Sequence, residues 1–276
     1  MIKDITLGQF FPGQSVIHRL DPRMKLILMI LFIVGTFLAK AALSFVLCVL
    51  FTLFLILISG IRLSVIIKGL KPIVFVILLT AFFNLFLIKG EDAPLLELGF
   101  IKIYRDGIAY AVMIAVRIIC IIAGTGVLLT YTTSPIALTD GLEQLLAPLK
   151  KLKLPVHDFS MMMTMALRFI PTLIEETDRI MNAQKARGAD FSSGGLIKRA
   201  KALIPVMIPL FVSSFHRAEE LAVAMECRCY RGDSGRTRMT KLKTSARDWI
   251  SLAVMVAFCA GNVLINIFLP LLYVFD

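Results

Sequence analysis

The sequence predicts an all-α membrane protein, a polytopic helical bundle of about five spans joined to a cytosolic domain of one short and two long helices. Three observations support this fold class. The 276 residues are 58% hydrophobic with a mean hydropathy of +0.84, above the range of soluble domains. Five long apolar runs contain no Asp, Glu or His. Lys and Arg are concentrated in alternate segments between these runs.

The apolar runs set the number of spans. They cover residues 26–39, 41–59, 72–88, 108–130 and 249–273. Because a membrane helix needs about 17–25 residues, the last four are long enough. The first is short, so it needs a tight hairpin with the second run or ends that snorkel. Residues 89–107 are predicted to form a short ordered excursion between two spans.

The first membrane helix has a clear start signal. Asp21 can cap a helix, and Pro22 suits the first helical position. Residues 1–24 are therefore a lead-in to the first span, with basic side chains at the headgroup level or in a specific contact.

A few polar side chains interrupt the runs, chiefly Asn84 and Arg117. An Arg within a bilayer costs about 2.5–3.5 kcal/mol on insertion scales. We therefore expect Arg117 to face the bundle as a structural clamp, on a carbonyl or an Asn, with a substrate role as the alternative. We expect Asn84 to have a structural role within the membrane as well.

The distribution of charge predicts the orientation. Twenty-five Lys and Arg residues lie in residues 1–25, in a predicted loop at residues 60–71 and in residues 131–248, against four in the alternate segments. The positive-inside rule then places the N-terminus and the 131–248 region in the cytosol. The excess of Lys and Arg in the cytosolic segments accounts for the net charge of +11. Binding to nucleic acid is therefore not needed to explain this charge.

The 131–248 region contains three predicted helices. A short amphipathic helix covers 137–149, and two long ones cover 156–187, with Pro171 inside, and 196–228, with two prolines in its first half. Both long helices have apolar first halves that are too short to span a membrane. These are candidate contacts with a partner membrane subunit, with ordinary core packing as the alternative. The candidates are Met161, Met162, Met163, Met165, Val206, Met207 and Phe211.

The two long helices end in one repeated pattern. Residues 183–188 have the sequence Ala-Gln-Lys-Ala-Arg-Gly, and residues 224–229 have Ala-Met-Glu-Cys-Arg-Cys. Each places an Arg between small neighbours, Ala186-Arg187-Gly188 and Cys227-Arg228-Cys229. A single such Arg indicates only a favourable interaction with the helix dipole. Two copies indicate docking into two equivalent sites on another protein, since Arg has a fixed donor fork suited to carboxylates.

Motifs for independent chemistry are absent from the sequence. It has no phosphate-binding G-x-x-x-x-G-K-[ST] loop, no metal-ligand spacing of His or Cys and no nucleophile–base pattern. Cys227 and Cys229 lie on the reducing side, which disfavours a disulfide, and no second pair completes a metal site. We therefore predict no catalytic residue, no bound metal and no cofactor in this chain.

Taken together, these segments resemble the transmembrane T-component (EcfT family) of energy-coupling-factor transporters, which import vitamins and metal ions in prokaryotes. The resemblance covers essentially the whole length and is carried by residues 16–26, 183–191 and 225–232. It implies that Arg187 and Arg228 each dock into one of two ABC-type ATPase subunits, paired as a homodimer or a heterodimer. The Cys neighbours of Arg228 depart from the family's Ala-Arg-Gly pattern but remain small.

The resemblance also implies the remaining organisation. ATP and Mg would bind to the ATPase subunits, and a separate small membrane S-component would hold the substrate. The domains would be a lead-in (1–24), transmembrane helices 1–4 (25–130), a coupling-helix domain (131–248) and a C-terminal transmembrane helix (249–276). The alternatives are a self-contained secondary carrier or membrane enzyme with basic, lipid-facing cytosolic helices, and a scaffold bound to the inner leaflet.

Overall fold

The computed structural model describes residues 10–87, 96–98, 101–152, 155–191, 195–230, 232 and 242–268. It is an all-α membrane protein, as predicted from the sequence. The α-helices of the described residues are α1 (Pro22–Phe37), α2 (Ala42–Ser59), α3 (Leu63–Leu70), α4 (Val74–Leu87), α5 (Arg105–Thr125), α6 (Pro135–Leu145), α7 (Val156–Ala186), α8 (Leu196–Cys227) and α9 (Ala246–Phe268).

Helix α1 begins as its sequence predicts. Pro22 occupies the first helical position, and the Asp21 carboxylate accepts a hydrogen bond from the backbone N–H of Arg23 at 2.9 Å. This bond satisfies one of the N–H groups that the first turn leaves unpaired. The predicted cap is therefore confirmed.

Four described segments are long and apolar enough to cross a membrane. They are Ala42–Ser59, Leu63–Phe86, Asp106–Thr130 and Ala246–Phe268. Helix α1 has 16 residues, below the usual span length. The prediction that four of the five runs are long enough is thus confirmed.

The predicted loop at residues 60–71 is wrong, because helix α3 occupies most of it. A 3-10 turn over Lys71–Ile73 then connects α3 to α4. Pro72 lies at the start of this turn, where its missing N–H breaks no helical bond. The preceding helix, α2, ends at Gly60, whose backbone is left-handed with a φ of 67°.

The core between α1, α2, α5 and α9 is aromatic. Phe32 is fully buried, with its ring centroid 6.2 Å from Phe51 and 5.9 Å from Phe258. Gly124 allows this packing because a Cβ there would meet the Phe32 ring. Small residues that let helices approach closely are typical of membrane bundles.

A short antiparallel hairpin lies in the predicted excursion between spans. Strand β1 (Leu96–Leu98) pairs with β2 (Ile101–Ile103) in the register Leu96↔Ile103 and Leu98↔Ile101. This hairpin is too small to change the fold class.

The chain divides into two compact units. One contains residues 10–141 and 242–268 of the described chain, and the other contains described residues from 142 to 232. In the second unit α7 and α8 lie close to their predicted bounds, and Pro171 does not interrupt α7. The short helix begins at Pro135 and ends at Leu145, after which a 3-10 helix covers Ala147–Leu152.

Candidate interaction site at two helix ends

Helices α7 and α8 end with the same backbone geometry. Arg187 and Arg228 are the C-cap residues, with φ, ψ of −87°, 8° and −92°, 14°. After Arg187, the N–H of Gly188 donates to the Lys185 carbonyl at 2.9 Å, and the N–H of Ala189 donates to Gln184 at 3.0 Å. This pair of bonds is the Schellman motif.

The same two bonds recur after Arg228. The N–H of Cys229 donates to the Glu226 carbonyl at 2.8 Å, and the N–H of Tyr230 donates to Met225 at 3.1 Å. The position after each Arg is left-handed, with φ of 88° at Gly188 and 56° at Cys229. Cys229 is the one non-glycine residue with positive φ among the described residues. It therefore occupies the structural position of Gly188, at a steric cost that glycine avoids.

Both guanidinium groups are available to a partner. Arg187, Arg228 and all four of their small neighbours (Ala186, Gly188, Cys227 and Cys229) are exposed. Within the part of the chain that the structure describes, neither Arg forms an ion pair with a carboxylate. Each end therefore presents a positive charge with little side-chain bulk beside it.

The two helices are joined by an ion pair between Glu176 of α7 and Arg217 of α8. The Arg217 Nη2 and Glu176 Oε2 atoms are 2.5 Å apart, and both side chains are partly exposed. Glu176 lies 11 residues before Arg187, and Arg217 lies 11 residues before Arg228. We call this ion pair the crossing point of the two helices. Each Arg end is therefore about 16 Å along its helix from the crossing point, at 1.5 Å per residue.

Chain length requires the two ends to diverge. Leu196 begins α8 about 32 Å before Arg217, and the nine peptide units from Arg187 to Leu196 reach at most about 31 Å. If the two helices ran parallel from the ion pair, Arg187 and Leu196 would be about 48 Å apart. The directions of the two helices therefore differ by more than about 105°, which separates Arg187 and Arg228 by roughly 30 Å if both helices are straight. Two charges this far apart need two separate binding sites.

The apolar first halves of α7 and α8 are largely exposed. The exposed fractions are 58% for Met162, 40% for Met163, 52% for Met207 and 59% for Phe211. Met161 and Met165 are half-buried. Val206 differs from the other six candidates because it is buried, with 3% exposed. Partner contact at these residues stays a prediction.

The intramembrane polar residues lie on backbone carbonyls. Arg117 donates from Nη2 to the Ala39 carbonyl at 2.6 Å, and its Cζ lies 5.1 Å from the Phe45 ring centroid. Asn84 donates to the Thr80 carbonyl of its own helix at 2.7 Å. Asn266 donates to the Leu38 carbonyl at 2.6 Å and accepts from Ser44 Oγ at 3.1 Å. The Arg117 and Asn266 contacts join distant segments, whereas the Asn84 bond lies within α4. The structural role of Arg117 and Asn84 stays a prediction, with a substrate role for Arg117 as the alternative.

Sequence reasoning missed a buried polar cluster that holds the lead-in. Asp248 near the start of α9 is 1% exposed, and its carboxylate accepts from the Asp21 N–H at 2.9 Å and the Ser245 N–H at 2.7 Å. Lys25, also 1% exposed, donates to the Thr132 carbonyl at 2.8 Å and to Thr133 Oγ1 at 3.1 Å. The Ser245–Asp248 spacing is a capping signal that the sequence displays. The bond from Asp248 to Asp21, 227 residues away, has no such local signal.

Metal-ligating side chains do not cluster in the described ranges, where no group of three His, Cys, Asp or Glu residues could hold an ion. Cys227 and Cys229 are free and exposed. Each exposed Arg could form a charge-assisted hydrogen bond with a carboxylate.

Comparison with known proteins gives a consistent result. Residues 13–241 match the family model CbiQ, described as a cobalt transport protein. The chain is 53% identical over 260 residues to the energy-coupling factor transporter transmembrane protein EcfT of Clostridium kluyveri, covering 94% of this chain and 96% of that protein. It is 48% identical over 261 residues to the protein of that name in Bacillus subtilis, covering 93% and 97% of the two chains.

Proposed function

Since the chain belongs to the CbiQ family and, within it, to the EcfT transmembrane proteins of energy-coupling factor transporters, we propose that it transmits the motion of two ATPase subunits to a separate substrate-binding membrane subunit. The protein is a transport component located in the bacterial membrane. Two capped helix ends with one geometry and one exposed Arg each carry the proposal.

Arg187 and Arg228 would each enter a groove on one ATPase subunit. Two related ATPases present two equivalent grooves, and the two Schellman caps present two equivalent arginines. Small neighbours let the groove walls close around each guanidinium, where a carboxylate can bind it bidentately. The separation of the two ends suits two subunits better than one.

The long helices would carry the motion from the ATPases to the membrane. When the ATPases close and open, a displacement of either Arg end moves its helix about the Glu176–Arg217 crossing. The exposed apolar residues of α7 and α8 would grip the substrate-binding subunit, since an exposed apolar patch indicates an interaction surface. Reorientation of that subunit would release its substrate inward, with the N-terminus and both Arg ends in the cytosol.

ATP and Mg belong to the ATPase subunits in this proposal, and this chain binds no cofactor and catalyses no reaction. The transported substrate would be a vitamin or another micronutrient. The description of the matching family as a cobalt transport protein is compatible with a metal ion. In either case the separate membrane subunit would select the substrate.

Reversal of both charges tests the docking. Arg187→Glu combined with Arg228→Glu should leave the protein inserted but unable to retain the ATPases during co-purification. Loss of one partner of a buried charge-assisted contact costs about 2–5 kcal/mol, so either single variant should retain more ATPase than the double. The matched control is Arg179→Glu with Arg199→Glu, which reverses two exposed charges elsewhere on α7 and α8.

Two outcomes would contradict the proposal. One is co-purification of an intact ATPase pair with the double variant at the wild-type level. The other is substrate uptake into liposomes by this chain alone, which would instead support a self-contained carrier.

A further inference from the structure

We propose that a cavity formed by the lead-in and the α2–α3 connection binds the phosphate headgroup of an anionic glycerophospholipid. The cavity has a volume of about 620 Å³, within the range of small-molecule sites. One wall is the segment from Phe11 to His18, and the other runs from Ser59 to Lys68. The site is independent of the helix ends proposed to bind ATPases.

The cavity is positively charged. Arg62 and Lys68 line it, and its lining residues include no Asp or Glu. The sequence supplies no acidic residue anywhere between Asp21 and Glu91. Among the described residues, neither cation forms an ion pair. An anion is therefore the ligand that would balance this surface, with Ser64 as a hydroxyl donor.

Both walls are fixed before any ligand binds. His18 contacts Ser15 Oγ through Nδ1 at 2.6 Å and the Phe11 carbonyl through Nε2 at 3.0 Å. The Phe11 N–H donates to the Tyr131 carbonyl at 3.0 Å. The Tyr131 hydroxyl lies against Gly69 of α3, where a Cβ would collide with it. Tyr131 thus contacts both the lead-in and α3, and this contact favours a cavity that is preorganised for binding.

The position along the helices favours a lipid over free phosphate. The cavity lies where the span Ala42–Ser59 ends and the span Leu63–Phe86 begins, which is the level of the headgroups. Basic pockets between membrane helices at the cytoplasmic side bind anionic headgroups. Phe11, Ile61 and Val65 add apolar lining that suits a glycerol backbone and the start of its acyl chains. A single inorganic phosphate would fill little of this volume.

Native mass spectrometry of the full-length chain in micelles tests the site, with phosphatidylglycerol and phosphatidylcholine as probes. Wild type should retain one phosphatidylglycerol with at least a ten-fold preference. Arg62→Gln with Lys68→Gln should reduce that preference at least five-fold. The control Lys71→Gln with Lys243→Gln, which removes two exposed charges outside the cavity, should leave it unchanged. Equal losses in both double variants, or none in either, would overturn the proposal.

Two further arms separate a site from diffuse attraction and a lipid from free phosphate. Ser64→Trp fills the cavity without changing charge, so it should also lower retention, and full retention would overturn the proposal. Excess inorganic phosphate should leave the bound lipid in place. Displacement of phosphatidylglycerol by inorganic phosphate would overturn the assignment to a lipid.

Discussion

Asp248→Asn should destabilise the compact unit of residues 10–141 and 242–268 more than any exposed Asp→Asn change would. The Asp248 carboxylate is almost fully buried and accepts three hydrogen bonds, from the Asp21 N–H at 2.9 Å, the Ser245 N–H at 2.7 Å and Ser245 Oγ at 3.1 Å. An Asn has one oxygen and one NH2 group, so at least one backbone N–H would face another donor. The buried Lys25 would also lose the negative charge that Asp248 provides.

The size of the effect follows from these contacts. A hydrogen bond to a charged group contributes about 1.5–3 kcal/mol, and a buried donor left unsatisfied costs about 1–3 kcal/mol. We expect a loss of about 3 kcal/mol in the free energy of unfolding, or a fall in Tm on the order of 5–10 °C. Ser245→Ala removes only the hydroxyl bond and should cost about 1.5 kcal/mol, the lower end of the range for a charged acceptor, because Ser245 is exposed.

Fluorescence provides the assay, because Trp249 is the single Trp of the chain and directly follows Asp248. Unfolding of the purified protein in micelles would be followed by Trp emission and by far-ultraviolet circular dichroism. Asp158→Asn, at an exposed position on α7, is the control and should change stability by less than about 1 kcal/mol. The reasoning is refuted if Asp248→Asn unfolds within about 1 kcal/mol of wild type.

Two further predictions concern the long helices. Cys229→Gly should relieve the left-handed strain and Gly188→Ala should introduce it, each by about 1 kcal/mol. Amide exchange at the α8 end should then slow about five-fold in the first variant and speed up at the α7 end in the second, and unchanged exchange in both would contradict the strain. For Glu176→Gln and Arg217→Gln, a double-mutant cycle of unfolding should give a coupling of about 0.5–1 kcal/mol, modest because both side chains are partly exposed. Strictly additive effects would show that this pair does not stabilise the crossing.

Local features of the protein follow from the amino-acid sequence alone. The spans, the Asp21–Pro22 helix start and the ends of α7 and α8 all depend on interactions within a few residues, which periodicity and capping residues report directly. The helical state of residues 63–70 was missed because charge suggested a loop there, while Pro72 suits the start of a helical turn as well as a break.

Contacts between distant segments were decided by the tertiary structure. The sequence contains the acidic pair at residues 175–176, but only the fold shows that Glu176 meets Arg217, so that the two arginine ends lie equally far from one crossing point. The bond from Asp21 to Asp248 joins segments 227 residues apart, and the buried Lys25 bonds to Thr132 across 107 residues; no local pattern encodes either contact. The sequence by itself determined which residues end the two helices and that each end carries an Arg. Their separation, and the cavity beneath the lead-in, depend on which distant side chains pack and pair, and only the folded chain decides that.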